Sequence, residues 1–153
     1  RIVAHLIECG ANPAAIYNQI YNTSNVNRLQ LLGQALNNLK VLPEYHAAFM
    51  TLSQEESRKF NFQKGDTEGF VNYALTIEGV KLAVIMIEDK SEQCVKLSLR
   101  SSGNFSVNEM AKKHFQGGGH INAAGGKNDG TIDDTVQKFI TLLPQYQKSL
   151  QSS

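Results

Sequence analysis

The chain contains no tryptophan, only two cysteines and three prolines in 153 residues, and almost no surplus of charge. It also lacks any apolar run approaching the ~18–20 residues that a membrane-spanning helix requires. Cys9 and Cys94 lie far apart with no C-x-x-C spacing, which excludes a disulfide framework and a cysteine-based zinc site, and both read as reduced thiols. No basic start followed by a small-residue cleavage site marks a signal peptide. These absences together predict a soluble, cytoplasmic protein with no membrane partner. A formal net charge of +1 lacks the basic excess of proteins that bind long duplexes, so any anionic ligand has to be met by local groups. Apolar content of 41% and charged content of 19% are those of a globular chain. The length suits one ordinary domain, with cores usually serving ~100–200 residues. The chain opens at Arg1 within a helical pattern and without an initiator methionine, which predicts a piece of a longer polypeptide.

Hydrophobic spacing divides the chain. Ile2, Val3, Leu6 and Ile7 share a helical face that Gly10 can terminate. Asn12-Pro13 restarts the helix as N-cap and first turn, with Ile16, Tyr17 and Ile20 as a buried stripe, and Asn22-Thr23-Ser24-Asn25 breaks it. Leu29, Leu32, Leu36 and Leu39 define a longer helix ending before Pro43, so the front third reads as all helix. Beyond it Ala47, Phe49 and Leu52 alternate as a strand, and Ser53 to Glu56 forms a capping box. Asp66 or Thr67 is a candidate cap for a helix through Phe70, Val71, Ala74 and Leu75. Val80 to Ile87 and Cys94 to Ser101 form a hairpin across a polar connection. Ser106 to Glu109 is a second capping box, and Val136, Phe139, Ile140 and Leu143 mark a last helix. The fold class is α/β: a mixed β-sheet with flanking helices over residues 46–153, preceded by a helical arm over residues 1–45.

Two features carry candidate chemistry. In Gln116-Gly117-Gly118-Gly119-His120-Ile121-Asn122-Ala123-Ala124-Gly125-Gly126, consecutive glycines cost backbone entropy, which points to positive φ or close approach by a ligand. Bare amides can hold phosphate oxygens, and His120 adds a donor. The same residues also fit a glycine turn with a structural histidine. A Walker loop is excluded because Asn128 follows Gly125-Gly126-Lys127, and a dinucleotide fingerprint because a helix precedes the glycines. In the strand Cys94 to Ser101, alternation places Val95, Leu97 and Leu99 on one face and Lys96, Ser98 and Arg100 on the other. The second face is either solvated or anion-binding, and Arg100 can fork onto phosphate oxygens.

Leu97-Ser98-Leu99-Arg100-Ser101-Ser102, a helix, then Gly117-Gly118-Gly119-His120 and Ala123-Ala124-Gly125-Gly126 resemble the DHH-associated domain of the DHH phosphoesterase superfamily, over roughly residues 47–143. Asp66-Thr67-Glu68-Gly69-Phe70-Val71-Asn72 resembles the E-G-x-V-N segment of its nanoRNase and 3′-phosphoadenosine-5′-phosphate phosphatase branch. The family commonly carries a fourth glycine where this chain has Gln116.

The resemblance implies a substrate-binding domain in which Arg100, Ser101, Gly117, Gly118, Gly119 and His120 hold a substrate phosphate. Glu68 and Asn72 either shape the pocket and contact the nucleotide or serve as helix cap and solvated face. It implies no catalytic or metal-binding residue in this chain. Two manganese ions would belong to an N-terminal DHH catalytic domain of the same polypeptide, whose tail and linker helix residues 1–45 resemble. The substrate class implied is short RNA or 3′,5′-bisphosphonucleotides, with a homodimer possible. Phe70 and Tyr73 are either base-stacking or core aromatics. The competing reading is a stand-alone nucleic-acid-binding module of the alanyl-tRNA synthetase-associated type; the weakest is a structural or dimerising domain whose glycines are only turns.

Overall fold

The computed structural model describes residues 2–21 and 24–152. Two short helices, α1 (Ile2–Glu8) and α2 (Pro13–Tyr21), precede α3 (Val26–Asn37). Asn12 caps α2 as its spacing predicts, its Oδ1 accepting from the Ala14 and Ala15 amides. The apolar stripes of α1 and α2 are not buried: Ile2 is 78% and Tyr17 57% exposed. The predicted Ile20 contact and the break at Asn22-Thr23 fall outside what is described.

The sheet has six strands in the order β1-β2-β3-β4-β6-β5. They are β1 (Lys40–Leu42), β2 (Ala47–Leu52), β3 (Leu82–Asp89), β4 (Cys94–Ser101), β5 (Gly118–His120) and β6 (Ala123–Asp129). Every neighbouring pair is antiparallel except β2 and β3, which run parallel and are joined through α4 (Gln54–Lys59) and α5 (Phe70–Leu75). The mixed sheet with flanking helices matches the fold class read from the sequence. The front third is not all helix, however, because β1 pairs with β2. Asn38 ends α3 early, its Nδ2 donating to Thr51 O at 3.0 Å and to Glu56 Oε1 at 2.8 Å, and the chain then turns into the sheet.

Period-two alternation divides the core into two layers. Ala47, Phe49, Leu82, Val84, Met86, Val95, Leu97 and Leu99 face α6 (Val107–His114) and α7 (Ile132–Gln151). Ala48, Met50, Leu52, Ala83 and Ile85 face α3 and α5, which contribute Leu31, Leu32, Ala35, Phe70, Val71 and Ala74. Strands β2 and β3 are therefore covered on both faces, whereas on the α3 and α5 side the cover reaches only part of β4 and leaves Gly125 and Lys127 of β6 exposed. That asymmetry leaves half of one sheet face open.

The caps are mixed in outcome. Ser53 and Glu56 form a complete capping box on α4. Ser106 accepts from the Glu109 amide, but Glu109 returns no bond to Ser106 and instead meets Asn108 Nδ2 and Lys112. A further box, Thr131 with Asp134, opens α7, which continues through Pro144. Neither Asp66 nor Thr67 caps α5. Asp66 accepts from the Gln63 amide in an upstream turn, and Gly69, at φ 82°, starts the helix.

His114 on α6 meets the Tyr146 hydroxyl on α7 at 2.7 Å. Burial first, then the charges of Lys113 and Lys138, pushes the His114 pKa down. A base whose folded pKa is depressed contributes fully above its unfolded value, about 6.5, and that contribution is lost as the pH falls below it, because the unfolded chain then binds the extra proton. Urea unfolding at pH 7.5 and pH 5 should therefore show a stability loss at low pH that is smaller in His114→Gln. An identical loss in both proteins would assign the acid sensitivity elsewhere.

Candidate functional site

The open half of the sheet is built from β4, β6 and β5. Residues directly opposite in a ladder share a face. Ala83, Arg100, Ala123 and His120 are in register across four strands, and Ser98 lies opposite Gly125 one step along. At a strand spacing of ~4.8 Å, Arg100 and His120 stand ~10 Å apart across the small side chain of Ala123. The floor between them is low because Ala123, Gly125 and Ser98 carry little side chain.

Of the cations foreseen on this face, Lys96 is already engaged. Its Nζ lies 2.8 Å from Asp89 Oδ2 and 2.7 Å from Glu92 Oε1, and its hydrogen bond holds the Asp89 carboxyl far below the usual carboxylate range. Arg100 is half-buried and donates once, from Nη1 to Leu99 O at 3.0 Å. The remainder of its guanidinium has no partner among the described residues. The loop ahead of α5 overhangs it, so that Thr67, Glu68, Gly69, Val71, Ser98 and Arg100 line a cleft of about 410 Å³. The structure thus brings Glu68 and Arg100 together. Asn72, exposed on α5, is outside this lining, although its Nδ2 approaches the position a Gly69 Cβ would occupy.

Ser101 is buried, and its hydroxyl is spoken for: it donates to Phe105 O at 2.6 Å and accepts from Asn122 Nδ2 at 3.0 Å. Asn122 also donates to Gly103 O at 3.0 Å, and the Ile121 carbonyl accepts from the Val107 amide at 2.8 Å. These bonds fix the β5–β6 turn beside the end of β4. His120 next to that turn is exposed, and no hydrogen bond holds its ring among the described residues.

The glycine run is an edge strand with its backbone pressed against its own chain. A Cβ at Gly117 would overlap the Gly125 carbonyl and stand 2.6 Å from Gly126 Cα, and one at Gly119 would overlap the Ala123 carbonyl. Two of the amides already have acceptors: Gly117 N donates to Ala111 O at 3.2 Å and Gly119 N to Asn108 Oδ1 at 2.9 Å. The close approach that these glycines permit is thus accounted for within the chain. Gln116 takes φ 46°, the left-handed conformation a glycine adopts without strain, and its Nε2 is tied to Asp129 Oδ2 at 3.1 Å.

Phe70 is fully buried core, not a stacking platform, while Tyr73 is 50% exposed. Among the described residues no three His, Cys, Asp or Glu side chains converge as a metal-holding group, and no helix is long and apolar enough to cross a membrane. Sequence reasoning missed Asn108 and Asn122, whose only signal was proximity to the glycine run, and Arg28, discussed below, which carried none.

The fold is an α/β domain whose mixed sheet keeps one half-face open, with a cleft between Arg100 and the loop ahead of α5. The DHHA1 domain family matches residues 43–149, and the chain belongs to that family. An exopolyphosphatase-related protein from Bacteroides fragilis is 41% identical with a TM-score of 0.93, over 98% of this chain and 44% of that one. A pGpG-specific phosphodiesterase from Vibrio cholerae shares the fold at 19% identity and a TM-score of 0.56, over 78% of this chain and 38% of the other. The chain thus spans less than half the length of these solved relatives. No curated protein matches it.

Proposed function

We propose that the chain is the phosphate- and nucleotide-binding substrate domain of a DHH-type phosphoesterase that hydrolyses short oligoribonucleotides or 3′,5′-bisphosphonucleotides in the cytoplasm. The observation that carries this reading is the incompletely partnered Arg100 guanidinium in a cleft beside Glu68, at the end of an open sheet half. Arg100 grips a terminal phosphate in the planar, two-pronged manner of guanidinium, and His120 across the row adds a second donor. Glu68, acceptor-only when ionised, takes hydrogen bonds from ligand hydroxyls or base N–H groups, with Asn72 beside it. Gly117 to Gly119 supply the close backbone edge, and Ser101 holds the end of β4 through its two bonds. The contribution is orientation and charge neutralisation, without proton transfer by this chain. Two manganese ions, supplied by an N-terminal catalytic domain of the same polypeptide, would activate water. No residue here serves that step, and the chain alone is inactive as a hydrolase.

Salt dependence separates this reading from a nucleic-acid-binding module. Binding of a short oligoribonucleotide through one terminal phosphate should give a slope of log affinity against log salt of about one to two, whereas a module neutralising six or more phosphates gives about four or more. A steep slope would overturn the single-phosphate grip.

A further inference from the structure

The cleft wall facing Arg100 is held from outside the matched family region. Glu68 sits on the loop that Gly69, at φ 82°, turns into α5. Its carbonyl accepts from Arg28 Nη2 at 2.8 Å, and Arg28 Nη1 donates to Ser24 Oγ at 3.1 Å. The same guanidinium lies over Phe70, its carbon 5.1 Å from the ring centroid, and Phe70 opens α5. One side chain of α3 therefore clamps residues on both sides of Gly69, between the cleft wall and the buried Phe70. Arg28 precedes residues 43–149, the span that matches the family.

We propose that Arg28 is a positioning residue for the cleft: it sets where Glu68 stands relative to Arg100 without touching ligand itself. The inference rests on reading the cleft as the phosphate site. Glu68 is exposed and its carboxylate has no partner among the described residues, so its placement depends on the backbone that carries it. Within the loop the Glu68 amide donates to Gly65 O at 3.0 Å, and the Glu68 carbonyl that Arg28 holds ties this backbone to α3. Lysine cannot reproduce the hold, because it lacks the planar fork that reaches Ser24 and Glu68 while stacking on Phe70.

The test is a double-mutant cycle read by calorimetric titration of 3′-phosphoadenosine-5′-phosphate into the chain, with thermal unfolding in parallel. Arg28→Ala should weaken binding about tenfold, the loss of one positioned contact. In a Glu68→Ala background the same substitution should change the dissociation constant little, since the group it positions is gone. Its effect on melting temperature should be the same in both backgrounds, which distinguishes positioning from a purely structural role. If Arg28→Ala does not fold, Arg28→Lys carries the same comparison, with a smaller loss that also vanishes in the Glu68→Ala background. Undiminished binding in the arginine variants, or an equal loss with and without Glu68, overturns the proposal. When Arg100→Ala abolishes binding but the Arg28 variants do not alter it, only this inference fails. No binding by the unsubstituted chain overturns the cleft reading and this inference together.

Discussion

Gly126→Ala is expected to lower stability by about 3 kcal/mol, the upper range of overpacking costs, while Gly125→Ala next to it leaves stability within about 0.5 kcal/mol. A Cβ at Gly126 would stand 2.6 Å from the Phe115 carbonyl oxygen and 2.9 Å from Phe115 Cβ. That carbonyl is already committed, accepting from the Lys127 amide at 2.6 Å. Phe115 is itself fully buried, so the joint between the end of α6 and the middle of β6 cannot open without disturbing the core. A Cβ at Gly125 would meet only the Leu97 carbonyl, at 3.7 Å, an ordinary contact on the open face. Urea denaturation of the two variants gives the comparison directly, and equal midpoints would contradict the packing described here.

Arg100→Ala is expected to weaken binding of 3′-phosphoadenosine-5′-phosphate by about ten- to a hundredfold, the range for loss of hydrogen bonds to a charged group. The substitution should hardly change stability, because Arg100 is half-buried near the end of β4 and its side chain makes one hydrogen bond among the described residues, to the adjacent carbonyl. Arg100→Lys should restore only part of the affinity, since a point charge replaces a planar fork. His120→Ala should cost less than Arg100→Ala, because the histidine is exposed at the far end of the row and lies outside the Glu68 cleft. Calorimetric titration of the three variants orders them. Full affinity in Arg100→Ala would remove the observation on which the functional reading stands.

Local periodicity carried much of the fold into view. The β3–β4 hairpin is legible because Val95, Leu97 and Leu99 alternate with polar residues, and that alternation also exposes the polar face bearing Arg100. Strands β1 and β5 are not legible: each is three residues long, too short for any period to register. The glycines in and just before β5 and in β6 signal close approach, and the partner that approaches at Gly117, Gly119 and Gly126 is the chain's own backbone, supplied by tertiary pairing that sequence spacing does not encode. Ser101 stands next to Arg100 in sequence, yet strand alternation turns it to the buried side, where Phe105 and Asn122 take its hydroxyl. Asp66 resembles a helix cap in composition, but the Gln63 turn claims it first. Arg28 illustrates the hardest case, a contact across forty positions that only the tertiary fold creates.

The central claim is that this chain grips a phosphorylated nucleotide and leaves the chemistry to another domain. The measurement that tests it most directly is calorimetric titration of 3′-phosphoadenosine-5′-phosphate into the unsubstituted chain, with a manganese-supplemented phosphate-release assay on the same sample. Saturable binding with no phosphate released is the predicted result. Metal-dependent release of phosphate, or no binding at all, would contradict it.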